Sequence, residues 1–296
     1  MLRRLKARDG VSLAYYRYGV QPRENDAAGQ VKPTVFFSHA TGFHGRIFDT
    51  TIGMLADNYS CYSMDHRGHG RSGWGCDKPL HWSVFANDLL EVSQECCGED
   101  KVVGVGHSMG AAALLMAALK KPEKFSALVL YEPIIFPPEM RMLFGVSADS
   151  PLAVLAKKRR NSFGSHDEAI RNFSKKPPMN AFDSNVLRDF VMHGQVDTND
   201  GLVYLRCQRE NEAAIYNSGS IHTTWSELSN ISVPTVILAG KFEWTQPSMF
   251  AQRLARNIPG SKFIRWDNYS HFGPLEDPTG FANVITSTAS ANSIAL

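Results

Sequence analysis

The chain has 296 residues, 43% of them hydrophobic and 20% charged, with a formal net charge of +2. Such a chain has ample core, and its length suits one large α/β domain carrying an insertion or two small domains. The weak charge removes the electrostatic case for nucleic acid or an anionic membrane surface as a partner, and no apolar stretch is long enough to span a bilayer.

In chain order, the basic segment MLRRLKARDG leads into VSLAYYRYG, a strand pattern from Val11 to Tyr18, rather than into the apolar core of a signal peptide. Polar residues Gln21 to Lys32 read as a surface loop. Thr34 to Ser38 (TVFFS) is a short buried strand running into the turn HATGFHG, and Arg46 to Asp57 is helical. A strand from Tyr59 to Met64 precedes the Gly-punctuated loop DHRGHGRSG, and Trp82 to Cys96 forms the next helix. The segment KVVGVGHSMGAAALLMAAL places a β-branched buried strand, a Gly-x-Ser-x-Gly turn and an Ala/Leu/Met helix in succession. Ala127 to Tyr131 adds a strand that ends at Glu132-Pro133.

Strands alternating with helices imply crossover units and a mostly parallel central sheet, with ligands at the carboxyl ends of the strands. That alternation stops between about Pro133 and Asn230. Prolines cluster there, and Ser150 to Arg160, Asp167 to Lys176 and Ser184 to His193 are amphipathic helices with no buried strand among them. The segment reads as a helical insertion. The alternation resumes with a strand at Pro234 to Ala239, a helix at Ser248 to Asn257, a strand at Ser261 to Trp266 and a last helix from about Thr279, beyond which the final residues fray. The expected domains are thus 1–132 with 231–296 as the α/β core, and 133–230 as the insertion.

Cys61, Cys76, Cys96, Cys97 and Cys207 are odd in number and lack metal-ligand spacing. Free thiols in a reducing compartment follow, hence an intracellular, cytoplasmic location and no metal site. The C-terminal SIAL is not a peroxisomal S-K-L address. No cofactor is expected, and the sequence assigns no oligomeric state.

The Gly-x-Ser-x-Gly turn is where chemistry is expected. A chance Gly-rich turn would satisfy five residues; the strand before and the helix after make it a nucleophile elbow centred on Ser108. A serine hydroxyl is a poor nucleophile unless a base takes its proton, an acid orients that base, and donors meet the developing oxyanion. Among ten histidines, His271 follows the last expected strand in DNYSHFGPLEDP and is the candidate base. The turn after TVFFS and the start of the helix after Ser108 offer backbone N–H donors at Thr41 and Met109.

With these motifs in place, the chain resembles the α/β-hydrolase superfamily. HATGFHG is similar to the family's His-Gly oxyanion motif, with Ala40 replacing the usual glycine. DHRGHGRS matches its Asp-x-Arg-Gly-His-Gly-x-Ser loop, GHSMG its elbow, and SHFGPLEDP its histidine segment, with Ser270 where glycine is more usual. The insertion resembles the family's helical cap. The resemblance implies supporting, non-catalytic roles for His39, Arg67 and His69. It also excludes dehalogenase and epoxide-hydrolase chemistry, which on this fold uses aspartate at the elbow.

The acid departs from the pattern. The family's Gly-x-x-Asp-x-x-x-Pro appears here as Gly240 to Pro247 with Glu243 in the aspartate's place, while Glu132 in YEPIIFPP resembles the Glu-x-Ile of some dehalogenases. A charge ending an apolar strand is costly unless paired, which favours Glu132 slightly; both stay candidates. The expected activity is a serine hydrolase acting on an ester, thioester or related acyl bond of a small to medium, fairly apolar substrate, since cap residues such as Phe144, Phe182, Phe190, Tyr216 and Trp225 are available to a pocket. A ligand receptor, or a C–C bond hydrolase or lyase, would use the same scaffold.

Overall fold

A computed structural model describes residues 1–19, 32–75, 80–143 and 150–293. Most of the expected loop at 21–32, together with Cys76, Phe144 and the last three residues, lies outside the described residues.

Eleven strands form two sheets among the described residues. The larger comprises β1 (Leu2–Lys6), β2 (Ser12–Tyr18), β3 (Thr34–Ser38), β4 (Ser60–Asp65), β5 (Val102–His107), β6 (Phe125–Tyr131), β10 (Thr235–Gly240) and β11 (Lys262–Trp266), in the order β1-β2-β4-β3-β5-β6-β10-β11. β1, β2 and β4 pair antiparallel, and every pairing from β4 through β11 is parallel. Runs such as VVGVGH and TVFFS are apolar throughout because central parallel strands are covered on both faces. Helices α2 (Ser83–Cys97), α3 (Met109–Lys120) and α9 (Ser248–Arg256) pack on one face; α1 (Asp49–Leu55) and α11 (Pro278–Ser293) pack on the other.

β1 is an element the sequence reading lacks. Leu2, Arg3, Arg4 and Lys6 are exposed, so no buried face repeats along it; the backbone ladder from Leu2↔Tyr16 to Lys6↔Ser12 holds it at the sheet edge.

Between β6 and β10 the chain runs through α4 (Pro138–Leu143), α5 (Pro151–Lys158), α6 (His166–Phe173), α7 (Ser184–Gly194) and α8 (Arg209–Ser218). Side chains of Ser150, Ser165 and Asp183 cap α5, α6 and α7 by accepting from free backbone N–H groups, which explains why these helices start where they do. The reading of this segment as strand-free needs correction. β7 (Ser162–Phe163), β8 (Gln195–Asp197) and β9 (Val203–Leu205) make a small antiparallel sheet in the order β7-β9-β8. Strands of two or three residues are too short to display a period.

This segment sits against the core through α7. Phe190 meets Phe43 at 5.4 Å between ring centroids, and His44 Nε2 donates to Phe190 O at 3.2 Å. Arg46 bridges Asp49 (2.6 Å) to His193 of α7 (3.2 Å), and the Thr50 hydroxyl donates to Asp189 at 3.2 Å. Burial and the neighbouring Asp49 push the Asp189 carboxyl up to about 6 from an ordinary 3.8. A carboxyl whose pKa is raised on folding favours the folded state when protonated, so stability is lost as pH rises from about 4 to about 6. Asp189 is part-exposed and screened, so the effect is modest. Asp189→Asn is expected to raise Tm by about 2–4 °C at neutral pH and not at all below about pH 4. Melts recorded across that range check it, and a pH-independent difference would count against it.

No helix among the described residues is long and apolar enough to cross a membrane. Cys61, Cys96, Cys97 and Cys207 are free thiols.

Candidate active site

β5 delivers Ser108 at a turn that only close packing permits. A Cβ on Gly106 would lie 2.7 Å from Ala111 Cα, and one on Gly110 only 2.2 Å from Ser38 O. Both positions of the Gly-x-Ser-x-Gly turn therefore let strand, helix and the neighbouring β3 end approach. Ser108 itself adopts φ 57°, ψ −115°, a conformation costly for a residue with a side chain, immediately before the first turn of α3.

Ser108 Oγ lies 3.1 Å from His271 Nε2, and His271 Nδ1 lies 2.6 Å from Glu132 Oε2. A carboxylate only accepts, so Nδ1 carries the ring proton and donates to Glu132. Nε2 is left to accept from Ser108. Glu132 is fully buried at the end of β6, with φ 44°, and its other oxygen accepts from Gly240 N–H at 2.7 Å. Both carboxylate oxygens are thus held by donors from separate elements, which fixes the face that His271 sees. Glu243 is elsewhere. Its part-exposed side chain is 3.3 Å from Lys241 Nζ, and its N–H donates to Ser248 Oγ in the turn before α9.

The N–H groups of Thr41 and Met109 have no acceptor among the described residues. The turn holding Thr41 is braced from behind. Gly42 N–H donates to His69 Nε2 (3.0 Å), whose Nδ1 donates to Arg67 O (3.0 Å). His39 Nδ1 donates to Ala40 O (2.7 Å) and its Nε2 accepts from His66 N–H (2.9 Å). Burial pushes His66 down to about 3 and His69 to about 4, and His39 well below its ordinary value, so these rings act as neutral hydrogen-bonding spacers. Arg67 is buried in a fork on Asp88 (2.6 and 2.7 Å) with Asp9 at 2.9 Å, tying this loop to α2. His39, Arg67 and His69 support the turn and touch none of Ser108, His271 and Glu132 by hydrogen bond.

Sequence reasoning gave no role to three groups that hold the His271 loop. His107 Nε2 donates to His271 O at 2.8 Å, and Tyr131 OH donates to Ser270 O at 2.7 Å. Ser270, the departure from glycine in this segment, hydrogen-bonds Glu276 through both its N–H and its hydroxyl. The one signal available for His107 was its place beside Ser108 at the elbow; Tyr131 and Glu276 carry none. Burial keeps His107 neutral, so it serves as a donor that positions His271. His107→Leu is expected to lower kcat about tenfold with little change in KM, because a freed loop misplaces the imidazole. Recovery of most of that loss by His107→Asn would show that the donor matters, whereas equal losses in both variants would leave only a packing role.

Phe272 follows His271, and its ring packs on Phe43 (6.0 Å) and Phe182 (5.6 Å), which gives one side of the site an aromatic wall.

The sequence profile described as "Alpha/beta hydrolase family" matches residues 35–284. The rat (Rattus norvegicus) monoglyceride lipase is 32% identical over 158 residues, 50% of this chain and 50% of the lipase, so the match spans about half of that relative's length. The proline iminopeptidase of Saccharolobus solfataricus is 27% identical over 237 residues, covering 75% of this chain and 73% of the peptidase. Among solved structures, the peroxisomal alpha-beta-hydrolase Lpx1 of Saccharomyces cerevisiae superposes with a TM-score of 0.80 at 17% identity, over 100% of this chain and 85% of that one, a likeness of fold.

Proposed function

The chain belongs to the alpha/beta hydrolase family, and from that premise we propose that it is a serine hydrolase cleaving an ester, thioester or related acyl bond through an acyl-enzyme. The observation that carries this reading is the continuous relay Glu132–His271–Ser108, at 2.6 and 3.1 Å.

Ser108 Oγ attacks the acyl carbonyl while His271 Nε2 takes its proton, and Glu132 supports the imidazolium through Nδ1. The carbonyl oxygen becomes an anion, which the N–H groups of Thr41 and Met109 receive; the second also stands at the N-terminus of α3, where the helix dipole favours negative charge. Collapse expels the leaving group, protonated by His271, and water then repeats the sequence on the acyl-enzyme. The insertion acts as a cap, and the wall of Phe43, Phe182 and Phe272 takes the apolar part of a small to medium substrate. No resident cofactor or metal enters these steps.

A fluorophosphonate probe combined with a panel of acyl esters tests the reading. Labelling at Ser108 with turnover of at least one ester class supports it. Labelling without any turnover points to a ligand receptor on the same scaffold, and no labelling removes Ser108 as nucleophile.

A further inference from the structure

Eight buried side-chain nitrogen or oxygen atoms lack a hydrogen-bond partner among the described residues. Five of them belong to Arg159 (Nε), Gln195 (Nε2 and Oε1), Glu212 (Oε2) and His44 (Nδ1); the others are on His66 and His222. Native proteins pair nearly all such groups, so orphans gathered in one place point to something that binds there.

These four residues meet at the turn that carries Thr41. A Cβ on Gly42 would lie 2.6 Å from Glu212 Oε1 and 3.8 Å from Arg159 Nη1, and one on Gly194, the residue before Gln195, would lie 3.1 Å from His44 Nε2. Gln195 pairs with Leu205 across β8 and β9, and Arg159 Nη2 donates to Cys207 O just beyond that strand, at 2.8 Å. Glu212, Gln195 and His44 are all at most 5% exposed. Arg159 Nη2 stands 2.9 Å from Glu212 Oε2 without hydrogen-bond alignment, so the charges compensate while Oε2 keeps its acceptor capacity. On the solvent side of these residues is a cavity of about 480 Å³ lined in part by Asn161, Leu205, Arg206 and Arg209. Arg206 donates to Gln195 O and Arg209 to Arg159 O, which joins the cavity wall to the orphaned groups.

We propose that Arg159, Gln195, Glu212 and His44 form a subsite for a neutral group that both donates and accepts hydrogen bonds, a hydroxyl or a carboxamide, on the substrate of the hydrolase proposed above. The unused capacity dictates this chemistry. His44 is neutral, because burial lowers it to about 4, and it donates through Nε2; its Nδ1 therefore offers a lone pair. With Glu212 Oε2 and Gln195 Oε1 that makes three acceptors, against N–H donors on Arg159 and Gln195. A charged ligand group would find the Arg159–Glu212 pair already balanced and would be buried without a counter-charge. An apolar group would leave every orphan unpaired. The substrate is thus amphipathic, with its apolar part on the Phe43–Phe182–Phe272 wall and its polar group on the far side of Gly42.

This rests on the hydrolase reading, and the test separates the two. With the whole protein, kcat/KM is compared for p-nitrophenyl 4-carbamoylbutanoate and its apolar isostere p-nitrophenyl 5-methylhexanoate, and for 4-hydroxybutyl and pentyl butanoate, which place the polar group on opposite sides of the ester. At least one polar ester is expected to exceed its isostere by about tenfold or more, because buried groups made to hydrogen-bond reject an analogue that cannot. The p-nitrophenyl hemiglutarate, with a carboxylate in place of the carboxamide, should be the poorest of the acyl series. Gln195→Leu should erase the preference, with Gln195→Met as the replacement if the leucine variant misfolds. Ratios near one in wild type would mean that water serves these atoms, and would overturn the proposal; so would a preference kept in both variants, or one for the carboxylate. Should no ester be cleaved and Ser108 resist labelling, the hydrolase reading fails by itself. The subsite is then read from melting with millimolar pentanamide, where a rise in Tm in wild type but not in Gln195→Leu supports it and no rise overturns it.

Discussion

Ser108→Ala is expected to lower kcat for the best ester by about 10⁵-fold, leaving only the rate that the oxyanion donors and substrate binding supply. The loss is large because the relay acts as a unit. His271 Nε2, 3.1 Å from Ser108 Oγ, has no other nucleophile to deprotonate and can at best activate a misplaced water. KM should change much less, since the aromatic wall and the oxyanion turn remain. Single-turnover and steady-state kinetics on the purified variant check this, together with loss of fluorophosphonate labelling. A variant within about tenfold of wild type would remove Ser108 from the chemistry.

The second large effect separates two glutamates. Glu132→Gln is expected to lower kcat by about 10⁴-fold, while Glu243→Gln stays within about threefold of wild type. Glu132 uses one oxygen for His271 Nδ1–H and the other for Gly240 N–H. A glutamine has one acceptor oxygen for these two donors. If its NH₂ faces His271, the imidazole is pushed to the tautomer whose Nε2 carries the proton and cannot accept from Ser108. If its NH₂ faces Gly240, two donors confront each other in a site with no water access, since Glu132 is fully buried. Either way the forming imidazolium loses its counter-charge. Glu243 faces solvent and Lys241, so neutralising it removes only a weak surface pair. Kinetics of the two variants side by side decide the matter, and a Glu243→Gln enzyme that loses more than the Glu132→Gln one would reverse the assignment.

Features written in consecutive residues were legible before any coordinates. The strand–turn–helix around Ser108 follows from Val102, Val103 and Val105, the flanking glycines and the Ala-rich run after them. The mostly parallel sheet follows from alternation of short buried strands with amphipathic helices. His271 stood out through its place after the last strand. Each is a local pattern with a local cause: tight turns need glycine, and a strand covered on both faces is apolar throughout.

Choices that depend on where separate segments meet were not legible. β1 and the small β7-β9-β8 sheet are held by backbone pairing, which leaves no side-chain signature in such short runs. Glu132 and Glu243 end the loops of neighbouring strands, and spacing alone cannot say which backbone turns its carboxylate inward; the positive φ of Glu132 and the Gly240 N–H decide it. The grip of His107 on His271, 164 residues away, is equally invisible in sequence. So is the gathering of Arg159, Gln195 and Glu212 at Gly42, which adds a polar side to a pocket that composition described as fairly apolar. The sequence by itself determined the family, the sheet and the nucleophile, because close packing leaves few residue types for those positions. Only the tertiary structure decided the partner of His271 and the polarity of the pocket, because a hydrogen bond between distant segments depends on distance and orientation that neither segment encodes alone.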